Sequence, residues 1–155
     1  MTGHMEGDLV IGSKSSQVAT LVDRRARYLT IVQTSSRHTT SVVPALVREH
    51  GRMDPALCRS LTWDRGMELA DHKLLSAATG IEMFFAAPRS PWPRGTNENT
   101  NKLLRQYLPK GMYLGDLSQV NPDTIAAKLN NRPRKCLGFR TPAEFIAAEA
   151  VALTG

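Results

Sequence analysis

Three carboxylates in separate segments of the sequence have a placement that suits metal-dependent chemistry. Asp8 lies in "EGDLVIG", Asp64 in "LTWDRGMELADH" and Glu98 in "SPWPRGTNENTNKLLRQYLPKG". Mg²⁺ prefers oxygen ligands and usually takes only a few carboxylates, which leaves positions for water and a substrate phosphate. Two such ions roughly 3.5–4 Å apart can activate an attacking oxygen and stabilise the leaving oxygen of a phosphoryl transfer. Side chains of this kind, brought together by a fold, can therefore support chemistry at a phosphodiester.

The strands that must position these carboxylates follow from short apolar runs. "GDLVIGS", "QVATLV" and "RYLTIVQ" predict three strands, and "DRRA" predicts a turn that starts at Asp23. "SLTWD" predicts a fourth strand that ends in Asp64, and "IEMFFAAP" predicts a fifth. The first three strands indicate an antiparallel meander. The last two flank a helical segment, which indicates a parallel β-α-β unit.

Helical spacing and capping residues predict five helices. "TTSVVPALVREHG" predicts the first, and a stripe of Ala70, Leu74, Ala77 and Ala78 at helical spacing predicts the second. The third is predicted from about residue 97 to residue 108. "NPDTIAAKLNNRP" and "TPAEFIAAEAVAL" predict two more, the first with Asn121 as its N-cap and the second with a capping box of Thr141 and Glu144. Together these elements predict an α/β fold with a mixed five-stranded sheet flanked by helices.

Each carboxylate also has a simpler interpretation. Asp8 can be a polar residue on the exposed side of its strand. Asp64 can cap the helix that follows it, since aspartate favours that position. Glu98 can be a first-turn glutamate that the helix dipole favours. Asn101, Lys102 and Arg105 follow Glu98 at three, four and seven positions, so one helix face carries an acid and then donors suited to phosphate.

Basic residues are concentrated in the second half of the chain. The net charge is +6 and the pI is near 9.7, which favours an anionic partner. Residues 89–110 hold five basic side chains and a single acid, Glu98, and residues 128–140 hold five basic side chains and no acid. The second run can be a solvated surface, but its lack of acidic partners favours contact with phosphates.

Four segments taken together resemble a known family. "EGDLVIG", "LTWDRGMELADH", "SPWPRGTNENTNKLLRQYLPKG" and "LNNRPRKCLGFRTPAEF" are similar, in this order, to the catalytic domain of bacterial insertion-sequence transposases with a DDE triad, which are related to retroviral integrases. The resemblance runs from about residue 6 to residue 145. Asp8, Asp64 and Glu98 match the triad, and the 33 residues between Asp64 and Glu98 are a spacing typical of this group.

The resemblance implies a ribonuclease H-like fold, a requirement for Mg²⁺ or Mn²⁺ with two ions expected, and cleavage and joining of DNA strands. It makes Asp8, Asp64 and Glu98 the expected catalytic metal ligands. Glu68 and His72 are four positions apart on the helix after Asp64, so they can support the site as neighbouring groups or can be ordinary helix-surface residues. The expected DNA contacts are Arg94, Asn97, Asn101, Lys102, Arg105, Arg132, Arg134 and Lys135.

The expected domain organisation is one integrase-core catalytic domain over residues 6–155. "MTGHM", residues 1–5, reads as a cloning remnant. The helix-turn-helix region that family members usually carry is expected to be absent, so recognition of element ends is assigned elsewhere. The expected partners are element ends, target DNA and other transposase protomers.

Two other functions are compatible with these residues. One is a ribonuclease H-like nuclease, which needs the same metal site but no joining step. The other is a non-catalytic DNA-binding or assembly remnant of a mobile element. The two cysteines, Cys58 and Cys136, form no Cys-x-x-Cys pair, and no apolar run is long enough for a membrane helix. A cytoplasmic, nucleoid-associated bacterial protein without a membrane partner is therefore expected.

Overall fold

The computed structural model describes residues 2–34, 39–54, 57–64, 72–86, 95–114 and 121–154. Five strands form one sheet, in the spatial order β3-β2-β1-β4-β5. The strands are β1 (His4–Ile11), β2 (Gln17–Asp23), β3 (Leu29–Gln33), β4 (Ser60–Asp64) and β5 (Glu82–Ala86). β1, β2 and β3 pair antiparallel, whereas β4 pairs parallel with both β1 and β5. The predicted meander and the predicted parallel unit are both confirmed.

Five α-helices accompany the sheet in the described ranges. They are α1 (Thr39–His50), α2 (His72–Thr79), α3 (Gly95–Leu104), α4 (Pro122–Asn130) and α5 (Pro142–Thr154). The order of strands and helices along the chain is the predicted one. α3 begins two residues earlier and ends four residues earlier than expected, because the chain turns at residues 105–108 before Pro109.

The two sheet faces carry separate cores, because successive side chains of a strand point to opposite faces. On the α1–α2 face, buried residues of the strands such as Met5, Leu21 and Leu61 pack with helical residues such as Leu46 and Leu75. On the α3–α4 face, the packed residues are Val10, Val18, Val22, Leu29, Ile31, Leu104, Leu108, Leu114, Ile125, Ala126 and Leu129. The central strands β1 and β2 contribute to both cores.

Several predicted local structures are confirmed. Asp23 is buried, and its carboxylate accepts the backbone N–H groups of Arg25 and Ala26 at 2.9 and 2.8 Å, which fixes the turn between β2 and β3. The Asn121 side chain accepts the Asp123 N–H at 2.9 Å at the start of α4. The capping box of α5 forms through the Glu144 N–H, which the Thr141 hydroxyl accepts at 3.0 Å.

The stripe of apolar residues that predicts α2 is not the buried side of the helix. Leu74 is 62% exposed and Ala77 and Ala78 are exposed, whereas Leu75 is fully buried. The helix has only eight residues, and the neighbouring β4 and β5 strands and α1 decide which single leucine faces the sheet. β1 begins at His4 and Met5 belongs to the core, and the assignment of residues 1–5 as a cloning remnant stays a prediction.

Candidate active site

Asp8 lies on the α3–α4 face in the middle of the sheet. It is two residues before the buried Val10 of the same face and pairs across the ladder with the buried Thr20. Its carboxylate oxygens are held from two sides: Oδ1 accepts the Leu9 N–H at 2.8 Å, and Oδ2 accepts the amide Nδ2–H of Asn101 at 3.1 Å. The carboxylate is therefore oriented by the protein before any ligand binds.

The register of the parallel strands brings the backbone of Asp64 beside Asp8. The last paired residues of β1 and β4 are Gly7 and Trp63. The next residue of each strand is Asp8 in β1 and Asp64 in β4. Asp64 is also paired with Ala86 of β5. Neighbouring strands lie about 4.7–4.9 Å apart. At position 64 the described part is the backbone alone.

Helix α3 lies against β1, and this packing fixes how far the polar residues of α3 lie from the sheet. Leu104 is buried in the core of this face, and the Arg105 guanidinium Nη2 donates to the Ile11 carbonyl at 3.2 Å. Asn101 reaches Asp8 one turn earlier. Glu98 precedes Asn101 by three positions, so its backbone occupies the same helix face one turn further toward the N-terminus.

Asn101 has a role that the sequence interpretation missed. It was expected to meet DNA phosphates, but its amide nitrogen donates to Asp8. Its amide oxygen, Oδ1, is buried and has no hydrogen-bond partner among the described atoms. A buried acceptor without a partner requires an explanation. The three-residue spacing from Glu98 is the sequence signal that marks this position.

The described part of the chain holds no group of three or more His, Cys, Asp or Glu side chains that could bind a metal ion. This finding does not bear on the predicted triad, because the side chains of Asp64 and Glu98 lie outside the described residues. The carboxylate triad therefore stays a prediction.

Arg132 is fixed on a basic surface beside the C-terminal end of α3. Its Nη2 donates to the Tyr107 hydroxyl at 2.6 Å, and its Nη1 donates to Gln106 Oε1 at 3.3 Å. The Arg132 guanidinium and the Lys128 ammonium each lie 5.7 Å from the centre of the Tyr107 ring. A cation–π contact of this kind holds two positive charges at one place on the surface.

The other predicted DNA contacts differ in exposure. Lys102 and Lys135 are exposed. Arg134 is half-buried, its Nη2 donates to the Leu129 carbonyl at 3.3 Å, and burial lowers the pKa of its guanidinium. Arg94 lies outside the described residues, and Asn97 is described by its backbone alone. These DNA contacts stay predictions.

Of the two residues expected to support the site, the structure describes only His72. The His72 ring lies edge-on to Phe85, with ring centroids 4.9 Å apart. Phe85 pairs with Trp63, so it is on the α1–α2 face, opposite the face of Asp8. Glu68 lies outside the described residues. Their supporting role stays a prediction.

The fold is that of an integrase catalytic core. The chain is similar to the catalytic core domain of BIV integrase, with a TM-score of 0.72 over the full length of both chains and 14% sequence identity. At this identity the likeness shows the fold alone, which is the predicted ribonuclease H-like class. No model of a protein family matches the sequence.

The sequence comparison gives the family. The chain is 53% identical over 152 residues to transposase InsI for insertion sequence element IS30A of Escherichia coli. It is 45% identical over 148 residues to the transposase for insertion sequence element IS1086 of Cupriavidus metallidurans, and 36% identical over 143 residues to that for IS4351 of Bacteroides fragilis. These alignments cover 92–98% of the chain. The homologues of this chain are therefore IS30-family insertion-sequence transposases.

The chain spans 39–44% of the length of these curated relatives. In the described ranges, the structure contains no helix with both the length and the apolar character needed to cross a membrane.

Proposed function

We propose that this chain is the catalytic core of a DNA transposase. In this proposal it hydrolyses a phosphodiester at the ends of an insertion sequence and then transfers the resulting 3'-hydroxyl to target DNA. The similarity to IS30-family transposases and the integrase-core fold support this function. The observation that carries it is the Asn101–Asp8 hydrogen bond, because it joins the helix of Glu98 to the strand that lies beside Asp64.

The backbone geometry supports convergence of the three carboxylates. Positions at the same register of adjacent parallel strands share a sheet face, so Asp8 and Asp64 belong to one face. That face is the one that α3 covers, and the position of Glu98 on α3 is one turn from the residue that contacts Asp8.

The described donor atoms fit a hard divalent cation such as Mg²⁺ or Mn²⁺. Asp8 offers carboxylate oxygens, and the Asn101 amide oxygen beside it is buried without a described partner. Carboxylate and amide oxygens are the ligand types that such ions prefer. Asp8, Asp64 and Glu98 would hold the ions, two in number by the expectation above. When bound, the ions would polarise the substrate phosphate and activate the attacking oxygen.

The protein groups in this proposal have separate tasks. Asn101 and the Leu9 N–H hold the Asp8 carboxylate in one orientation, so it need not reorganise when a cation arrives. Arg132, held by Tyr107 and Gln106, provides a fixed positive charge for a DNA phosphate. Exposed Lys102 and Lys135 add mobile charges. Such contacts position DNA and carry no sequence information.

The partners in this proposal are element ends, target DNA and further copies of the transposase. Sequence recognition would come from the parts of the longer family members that this chain does not span. The site of action would be the bacterial nucleoid in the cytoplasm.

The test compares Asp64→Asn with Glu82→Gln, an exposed carboxylate at the start of β5. The asparagine keeps the size of the side chain but removes the charge that holds a cation, and it relieves repulsion among neighbouring carboxylates. We expect Mn²⁺ to raise the Tm of the wild type and of Glu82→Gln, but not that of Asp64→Asn.

The same substitutions are then made in a full-length transposase that carries this core. We expect Asp64→Asn to reduce metal-dependent strand joining to background and Glu82→Gln to retain it. Full joining by Asp64→Asn would contradict the proposed role of the carboxylate. Cleavage without joining by the unmodified enzyme would favour the nuclease interpretation.

A further inference from the structure

The segment between α4 and α5 forms a closed loop, residues 134–140, which we call the Phe139 loop. Four backbone hydrogen bonds close it: Arg134 N–H to the Arg140 carbonyl at 3.0 Å, Phe139 N–H and Leu137 N–H to the Arg134 carbonyl at 2.8 and 3.0 Å, and Gly138 N–H to the Lys135 carbonyl at 3.1 Å. Leu137 anchors the loop by packing on Ala26 and Phe145. The loop is therefore a fixed platform rather than a loose connection.

Phe139 lies at the tip of the Phe139 loop in a strained backbone conformation. Its φ is +66°, a left-handed conformation that bulky residues rarely adopt, and its side chain is 69% exposed. Such a conformation is strained for a residue with a Cβ. Glycine would adopt it without strain, as the neighbouring Gly138 does at φ +64°. Neither the strain nor the exposure of the ring benefits the isolated fold.

The surroundings of the ring are strongly basic. Lys135 and Arg140 are exposed on the same loop, and residues 128–140 contain no acid. On the adjoining turn after β2, Arg25 lies over the Phe145 ring at 5.5 Å, and the charge of Arg27 acts on Arg134. Of the acids of α5, the Glu144 carboxylate accepts the Thr141 N–H of the capping box and Glu149 lies 4.0 Å from Arg25. An apolar ring within a set of cations fits a partner that is anionic and has flat rings.

We propose that Phe139 stacks on an unpaired base of the DNA while the cations of the loop and the adjoining turn bind the flanking phosphates. Aromatic rings beside positive charge are the usual means of holding single-stranded nucleic acid. The proposal rests on the proposed function, because it takes DNA as the substrate. The loop lies at the end of the sheet where β1 begins, since Met5 pairs with Asp23 next to the turn that Leu137 contacts. Asp64 ends β4 at the opposite end, so the loop would hold DNA away from the reacting phosphate.

Charge disfavours a second copy of the chain as the occupant. A symmetric contact places the same surface patch on both subunits. Around Phe139 this arrangement would bring Lys135 and Arg140 of one copy against the same residues of the other, and like charges repel.

The test uses the 155-residue chain and two DNA probes of the same sequence, a fully paired duplex and the duplex with a central bulge of unpaired thymines. We expect the wild type to bind the bulged probe roughly 5- to 150-fold more tightly, the range given by stacking of one base. Phe139→Gly should lose this preference and keep its affinity for the paired duplex. Phe139→Trp should retain the preference. Val151→Ala, which truncates another exposed apolar side chain, is the control and should behave as wild type.

Stability provides a second readout. Because glycine relieves the strain at φ +66°, Phe139→Gly should leave the Tm unchanged or raise it by up to about 4 °C. A lower Tm would show that the ring stabilises the fold, and conversion of a dimer to a monomer in sedimentation experiments would show that it faces a second copy. Either result, or equal binding of the two probes by the wild type, would overturn the inference. Absence of binding to either probe would instead count against the proposed function.

Discussion

The two faces of the sheet show how packing on one side positions chemistry on the other. On the α1–α2 face, Gly7 leaves room for the Trp63 ring, which is 1% exposed. A Cβ at Gly7 would lie 2.2 Å from Cε3 of that ring. On the α3–α4 face, the next residues of the same strands are Asp8 and Asp64. A one-residue slip of register would exchange the faces, so the close apolar fit of Gly7 with Trp63 helps to keep the backbones of Asp8 and Asp64 at the same register.

The α3–α4 face, by contrast, is polar in its middle. Glu6 is buried and pairs with Arg24 Nε at 3.5 Å, and Asp8 is bound by Asn101. Apolar packing returns on both sides of these residues, with Val10, Leu104 and Leu129. A buried carboxylate lowers stability unless it is paired, and here Glu6 has Arg24 and Asp8 has Asn101 and the Leu9 N–H as partners.

Among the substitutions that test this comparison of the two sheet faces, Asn101→Ala is expected to have the largest effect. Loss of the amide frees the Asp8 carboxylate, and loss of such an orienting group typically costs about 10- to 100-fold in metal affinity or activity. Strand joining should require more Mn²⁺, while the affinity for DNA stays unchanged. Asn131→Ala, an exposed asparagine after α4, is the control. A loss of DNA affinity with unchanged Mn²⁺ dependence would instead support the phosphate contact predicted from the sequence.

A substitution on the opposite face tests the packing side. Gly7→Ala should lower the free energy of unfolding by about 1–3 kcal/mol, because the Trp63 ring or the strand must move. Gly51→Ala is the control: the nearest atom to its added Cβ would be 3.4 Å away, so its effect should stay within about 0.5 kcal/mol. Chemical denaturation measures both. Equal stability of Gly7→Ala and wild type would show that the close fit does not hold the register.

The smallest effect is expected from Arg132→Ala. We expect the isolated chain to bind duplex DNA without sequence preference, with a Kd on the order of 10⁻⁴–10⁻⁶ M at physiological salt. Loss of one phosphate contact should weaken binding of all sequences alike and reduce the slope of log K against log salt by about 1. Arg52→Ala, a basic residue paired with Glu49 away from α3, should leave the slope unchanged. A salt-insensitive preference for element ends would show that this domain reads sequence itself.

Much of the fold was predictable because the deciding signals are local. The strand over residues 60–64 was predicted with its observed bounds, and the caps at Asn121 and at Thr141 with Glu144 form as expected. Each depends on residues within four positions of one another. The buried side of α2 was not predictable in this way, because a helix of eight residues carries too little periodicity to choose between Leu74 and Leu75.

The resemblance in the sequence identified the candidate carboxylates, but the roles of their neighbours needed three dimensions. Asn101 and Asp8 are 93 residues apart, and the basic run 128–140 does not reveal that Arg132 is held by Tyr107 while Phe139 stands exposed. Amino-acid types and spacings determined the elements, the family and the charge of this protein. Tertiary structure decided which donors face which acceptors, because strand register and helix packing join residues that the sequence keeps far apart.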